Sequence, residues 1–185
     1  ESTTTHYLTN VTLDLLDDMA RTQSGSGQPF FLTCQYWAPH GPHLPSPEFV
    51  GIHDRAAIPQ PDNWPDDYAG KPRRYDRLVN SFYANLPETW AGWQEIKGLA
   101  YDHATMVDHE IGRLLDQLDE LDIANNTVIF FTSDHGDMQG SHGLQDKGYM
   151  YEEAHRVPLM VCLPGQQSAD KREQLVYNMD IFPTV

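Results

Sequence analysis

Two short apolar runs, Thr127-Val-Ile-Phe-Phe-Thr132 and Val157-Pro-Leu-Met-Val-Cys-Leu163, limit most tightly what this chain can fold into. Each has the length of a strand. Neither alternates apolar with polar residues, so each suits a strand covered on both faces. Pro29-Phe-Phe-Leu-Thr-Cys-Gln-Tyr36 reads as a third. Helical patterns stand between and before them. Residues 91–121 carry Trp93, Ile96, Leu99, Met106, Val107, Ile111, Leu114, Leu115 and Leu118 in one apolar stripe, with acids, Lys97 and Arg113 elsewhere. Residues 6–20 set Leu8, Val11, Leu15, Leu16 and Met19 at the same spacing, and that helix should end before Ser24-Gly-Ser-Gly27. Helices alternating with apolar strands predict an α/β fold, a mostly parallel sheet flanked by helices. In such sheets ligands collect beyond the carboxyl ends of the strands.

The segments just past the strands are therefore where chemistry is expected. The first strand runs into Trp37-Ala-Pro-His-Gly-Pro-His-Leu-Pro-Ser-Pro47, where four prolines in eleven residues exclude regular structure and leave a rigid loop bearing His40 and His43. The second runs into Ser133-Asp-His-Gly-Asp137. Asp134 and His135 are well placed there as neighbouring metal ligands, with Gly136 allowing a sharp turn. The competing reading has Asp134 capping a turn and His135 satisfying a local carbonyl. A dense polar stretch, Gly140 to Pro158, then joins two core strands and contains Lys147. A lysine held there could contact a tetrahedral anion as a point charge, or simply be a solvated side chain. Asp137 and His142 read as loop-fixing hydrogen-bond partners rather than ligands, and Glu152 and Arg156 as a pair bracing the loop. Residues 50–90 are loop-rich, with a basic knot at Lys71-Pro-Arg-Arg74 that suits a solvated loop better than an anion site.

Several of these segments together resemble the sulfatase family, of the alkaline phosphatase-like superfamily. They are Pro29-Phe-Phe-Leu with Pro39-His-Gly-Pro42, Asp108-His-Glu-Ile-Gly-Arg113 with Asn126-Thr-Val-Ile, and Phe131-Thr-Ser-Asp-His-Gly-Asp137. His142-Gly-Leu, Lys147-Gly-Tyr-Met-Tyr-Glu-Glu, Arg156-Val-Pro-Leu159 and Asp180-Ile-Phe-Pro-Thr184 continue the match in family order, with residues 50–90 as a variable, unmatched insertion. The resemblance implies a partial sulfatase catalytic domain over 1–185 with an alkaline phosphatase-like fold, hydrolysing sulfate esters of small molecules or glycans with a divalent metal. By position, Asp134 and His135 would be metal ligands, Lys147 would bind sulfate oxygens, and His40 would serve as general acid at the leaving oxygen, with His43 as the fallback in an overlapping frame. The metal implied is Ca2+, while the imidazole of His135 opens Mn2+ or Zn2+, because calcium prefers oxygen donors. The family's nucleophile is a formylglycine made within Cys/Ser-x-Pro-x-Arg. No such motif occurs here, so it is expected upstream of Glu1, and this chain alone is expected to be inactive. Cys162-Leu-Pro-Gly-Gln166 imitates the motif but ends in Gln, and Cys162 reads as a core thiol. The same features resemble phosphodiesterases and phosphonate monoester hydrolases of the superfamily. A non-catalytic relative binding an anionic glycan is the third reading.

Twelve basic against 27 acidic residues give a net charge of −15, which disfavours nucleic acid and anionic membranes as partners. An anionic substrate would then need positive charge concentrated locally. No apolar run approaches the roughly 18 residues of a membrane span. Two cysteines, Cys34 and Cys162, do not make a disulfide framework. The family resemblance is compatible with a periplasmic, secreted or lysosomal-type compartment.

Overall fold

The structure is a computed structural model that describes residues 3–71, 86–166 and 168–185. Helix α1 (Thr4–Ser26) begins where the Thr3 side chain accepts the His6 amide and ends at Gly27, whose φ of 72° permits the left-handed cap. It runs past Ser24, beyond the expected end. Its buried face is Thr5, Thr9, Thr12 and Leu16, so Leu16 alone of the expected apolar stripe is fully buried, and Val11 and Leu15 are exposed. Thr9 and Thr12 tolerate burial because their hydroxyls find partners. Thr9 and Thr12 bond back to the carbonyls of Thr5 and Leu8, and reach Tyr36 Oη and Cys34 Sγ across the interface. Residues 28–36 therefore lie extended beside α1, but without ladder pairing among the described residues.

Helix α2 (Trp90–Glu120) is the long helix expected at 91–121. Trp93, Met106 and Leu118 are buried as the stripe required, while Leu115 is exposed. Three polar residues, Asp102, His103 and Glu110, are buried on the same helix, where acids were expected outside. Asp102, with no exposed surface, accepts from the Gly51 and His53 amides and from Arg55 at 2.5 Å. Glu110 is met by His6 and Arg113. Such partners are what allow a carboxylate to be buried. They also fasten residues 50–57 and α1 to α2, with Arg113 Nη2 donating to Asn10 at 2.7 Å.

Strands β1 (Ile129–Thr132) and β2 (Leu159–Cys162) pair antiparallel, Ile129 opposite Cys162 and Thr132 opposite Leu159. The expected parallel arrangement is not what this pair adopts. The 26 residues between the strands hold only a three-residue 3-10 helix (Ser141–Gly143) and one short α-helix, α3 (Glu152–His155), with no crossover helix to return the chain in the same direction. The outward face of β2 is open among the described residues, so Cys162 is exposed rather than in the core, and Cys34 is half-buried. Both thiols are free.

The polar connection between the strands has its own small core, Met138, Leu144, Tyr149 and Ala154, with Tyr68 and Tyr151 packed against it. Gly136 lets this loop close, since a Cβ there would stand 2.0 Å from the Glu153 carbonyl oxygen. Its amide donates to the Ala154 carbonyl. Arg73 and Arg74 of the basic knot, and the rest of 72–85, lie outside the described residues. A last short helix, α4 (Ile181–Thr184), comes after Asn178, whose side chain donates to the Ser133 carbonyl and accepts from Thr132.

Candidate active site

The proline-rich loop turns tightly at Trp37, where the His40 amide donates to the Trp37 carbonyl, and the two rings lie 4.6 Å apart. His40 Nδ1 lies 2.7 Å from the Gly41 carbonyl, which leaves Nε2 facing outward. Lys147 Nζ comes within 2.7 Å of that Nε2. An ammonium group only donates, so Nε2 is the acceptor in this contact and Nδ1–H the donor to Gly41. The two side chains are 107 positions apart in sequence and meet because the strand-connecting loop folds back on its own core.

Asp146 fixes Lys147 from the other side. Its backbone sits at a φ of 71°, its side chain accepts from the Lys147 amide, and its carboxylate lies 2.6 Å from Nζ. Burial works against the Asp146 charge, but Lys147 outweighs it and the carboxyl is held below its ordinary range. Asp137 Oδ1 accepts the amides of Gln139 and Asp146. A cavity of about 180 Å³ opens beside this group, lined by His40, Gly41, Pro42, His43, Asp137, Gln145 and Asp146. His43 Nδ1 is 3.0 Å from the Pro39 carbonyl. Its burial lowers its pKa against the opposing pull of that carbonyl.

Asp134 and His135 stand at the end of β1. Asp134 Oδ1 accepts the His135 amide, and Oδ2 lies 3.6 Å from His135 Nε2. His135 Nδ1 is 2.8 Å from the Gly136 carbonyl. The pair forms no hydrogen bond or ion pair with His40 or Lys147 among the described residues, but Asp137, three positions on, lines the His40 cavity. Among the described residues no three His, Cys, Asp or Glu side chains are grouped to hold a metal ion. The structure thus sets His40 and His43 on the wall of one opening with Lys147 held against His40 beside it, and sets Asp134 and His135 at the start of the loop that brings Asp137, Gln145 and Asp146 to that wall.

A second network was only partly legible. His142 stacks on Tyr151, with ring centroids 3.9 Å apart, and its Nδ1 is 2.5 Å from Asp66. Lys71 closes an ion pair with the same Asp66, and Tyr68 Oη donates to the His142 carbonyl. His142 is a loop-fixing group, but nothing in the spacing of residues 50–90 pointed to Asp66, Tyr68 or Lys71 as its partners. Glu152 and Arg156 pair at 3.2 Å on the surface.

The family model described as Sulfatase matches residues 1–185. The chain belongs to the sulfatase family. An arylsulfatase of Clostridium perfringens is 30% identical over 185 residues, covering 98% of this chain and 37% of the relative. Two solved structures share the fold. One, described as a complex with its substrate D-glucosamine-2-N,6-O-disulfate, has a TM-score of 0.71 at 23% identity, over 89% of this chain and 44% of the other. The second, a phosphonate monoester hydrolase from Silicibacter pomeroyi, has a TM-score of 0.70 at 29% identity, over 88% and 33%. This sulfatase-family chain thus has the α/β, alkaline phosphatase-like fold expected of it, and spans about a third of the length of the arylsulfatase it matches. None of its described helices is long and apolar enough to cross a membrane.

Proposed function

We propose that this chain contributes one side of the active site of a metal-dependent sulfuric ester hydrolase. The observation that carries the reading is the 2.7 Å contact between Lys147 Nζ and His40 Nε2 at the edge of a cavity. A sulfate ester is anionic throughout its hydrolysis, so in a chain of net charge −15 the site must focus positive charge at one point. Lys147 is that point. It holds the sulfate oxygens, and the arriving anion takes over donation that now goes to Asp146 and His40. His40, released from the ammonium, carries a proton on Nε2 and delivers it to the leaving alcohol oxygen, while the Gly41 carbonyl keeps the ring oriented through Nδ1–H. His43 lines the same opening and contacts bound substrate. A formylglycine in sequence outside these 185 residues would supply the nucleophile.

Asp134 and His135 suit a divalent cation as two of its donors. Oδ2 and Nε2 are close enough to share one ion, and the Gly136 carbonyl at Nδ1 fixes the tautomer that leaves Nε2 available. Ca2+ is the metal the family favours, with Mn2+ or Zn2+ better suited to the imidazole. Bound there, the cation would supply Lewis-acid polarisation of a sulfate oxygen. The substrate class is a small-molecule or glycan sulfate ester, in line with the disulfated glucosamine bound by one structural neighbour.

The phosphonate monoester hydrolase among the structural neighbours supports a second reading, in which the same side chains act on a phosphonate monoester or phosphodiester. Rates on 4-nitrophenyl sulfate and the matched phenylphosphonate, measured on the protein with its upstream sequence attached, separate the two. Turnover of neither ester removes both readings and leaves glycan binding without catalysis.

A further inference from the structure

The segment Asp180-Ile-Phe-Pro-Thr184 takes no part in the chemistry at His40 and Lys147, yet the turn that leads into it touches the end of β1. Asp180 closes that turn. Its carboxylate accepts the Tyr177 amide at 2.8 Å, and its own amide donates to the Tyr177 carbonyl. Asn178 lies within it. Its Nδ2 donates to the Ser133 carbonyl at 2.7 Å, across 45 positions of sequence, and its Oδ1 is 2.9 Å from the Thr132 hydroxyl. That hydroxyl is also 2.9 Å from the Pro158 carbonyl, just ahead of β2. One amide side chain thus meets the two residues that come just before Asp134.

We infer that Asn178 is a positioning residue for the divalent cation, holding the backbone that presents Asp134 and His135. The inference rests on the reading of that pair as two of the cation's donors. The Asp134 side chain is 84% exposed, so packing does not place it and the backbone has to. From Ser133 to Gly136 the backbone is pinned at both ends, by Asn178 at the Ser133 carbonyl and by the Ala154 carbonyl at the Gly136 amide. Between those anchors Ser133 Oγ donates to the His135 carbonyl, and Asp134 Oδ1 accepts the His135 amide. Releasing the Ser133 end leaves Oδ2 and Nε2 without a fixed separation, and a preset separation is what makes two donors act on one ion. Asn178 forms no hydrogen bond with Asp134 or His135 among the described residues, so it acts through the backbone and not as a ligand. An amide suits that place. It donates and accepts at once, and it adds no charge of its own to compete for the cation.

The test is Mn2+ affinity, measured by calorimetry on the protein with its upstream sequence attached, for the wild type, Asp134→Ala, Asn178→Ala and Asn178→Gln. Asn178→Ala should weaken binding about tenfold, the lower end of what outer partners of metal ligands supply, while Tm stays close to that of the wild type. Asn178→Gln, which keeps donor and acceptor on a longer stem, should restore part of the loss. In the metal-free protein the His135 amide should exchange with solvent faster in Asn178→Ala than in the wild type, because the Asp134 carboxylate that accepts it is no longer held. Affinity lowered by Asp134→Ala but unchanged by Asn178→Ala overturns the positioning role alone. Affinity unchanged by both removes the reading of the metal pair, and this inference with it. A weaker affinity that comes with a matching fall in Tm and no rescue by Gln makes Asn178 a folding residue only, which also overturns the proposal. Should Asn178→Ala fail to fold, Thr132→Val decides. It removes the second bond of Asn178 and leaves the Ser133 carbonyl in place, so affinity should fall in the same direction, and an unchanged value overturns the proposal.

Discussion

Lys147 Nζ and His40 Nε2, 107 positions apart in sequence, lie 2.7 Å from one another with Asp146 on the opposite flank of the ammonium. A cation held between a carboxylate and an imidazole is poised to exchange both for an incoming anion. Lys147→Ala should therefore lower kcat/KM for an aryl sulfate by about 10²–10³, the usual loss when one charge-stabilising group is removed. His40→Ala should cost little with a nitrophenol leaving group and far more with a sugar alkoxide, which needs the proton. A plot of rate against leaving-group pKa for both variants checks this, and equal losses across the series would remove His40 from the acid role.

Asp102 and Asp66 give the fold an acid-sensitive seam. Burial opposes the charge at Asp102, yet Arg55 and the Gly51 and His53 amides overcome it and hold the pKa at about 2. At Asp66 burial is likewise outweighed, by Lys71, the Tyr68 amide and His142, again to about 2. A folded pKa below the unfolded value means stability that is complete above about pH 4 and is lost as pH falls toward 2. Thermal unfolding should weaken steeply across that window, and Asp66→Asn should flatten the slope. Asp102→Asn should also cost about 3–5 kcal/mol at neutral pH, since it strands a buried Arg55 contact. Urea titrations at pH 7 and pH 3 measure both effects.

Gly136→Ala should destabilise by about 1–3 kcal/mol or more, because the new methyl meets backbone and not a movable side chain. The Met138–Leu144–Tyr149–Ala154 core would open with it, and Lys147 would lose its position. The expected result is a lower Tm together with a loss of turnover that exceeds the loss of folded protein.

Divalent-cation binding should depend on Asp134 and His135. Alanine at either position should weaken Mn2+ or Ca2+ affinity at least about tenfold, in line with the cost of disturbing metal ligands or their supports. Calorimetry with each metal reads this directly. Unchanged affinity in both variants would leave these two residues as a local turn.

Much of this was legible in the sequence because it depended on local chemistry. The stripe on 91–121 gave α2 almost to the residue, and the strand-to-loop transition at Thr132–Ser133 located the candidate loop. Most of the failures share one cause, which is partners distant in sequence. Thr9 and Thr12 displaced Leu15 and Val11 from the inner face of α1 because Tyr36 and Cys34 were waiting for their hydroxyls. Asp102 lies inside because Arg55 and two loop amides reach it. His103 could not be distinguished in the sequence from any other polar position on a long helix, yet it is buried and its Nδ1 has no hydrogen-bond partner among the described residues. The direction of the β1–β2 pair depended on what lies between the strands, and apolar content alone does not carry direction.

The stack of His142 on Tyr151, tied through Asp66 to Lys71, bears on how relatives could be recombined. The segment around 63–71 is clasped to the Lys147 loop from the side, so neither can be transplanted by itself. A hybrid that imports the 50–71 stretch from another sulfatase while keeping the local 137–153 segment inherits half of a clasp. Exchanging the two as one cassette preserves it, and any change in substrate preference carried by the first stretch has to travel with the second.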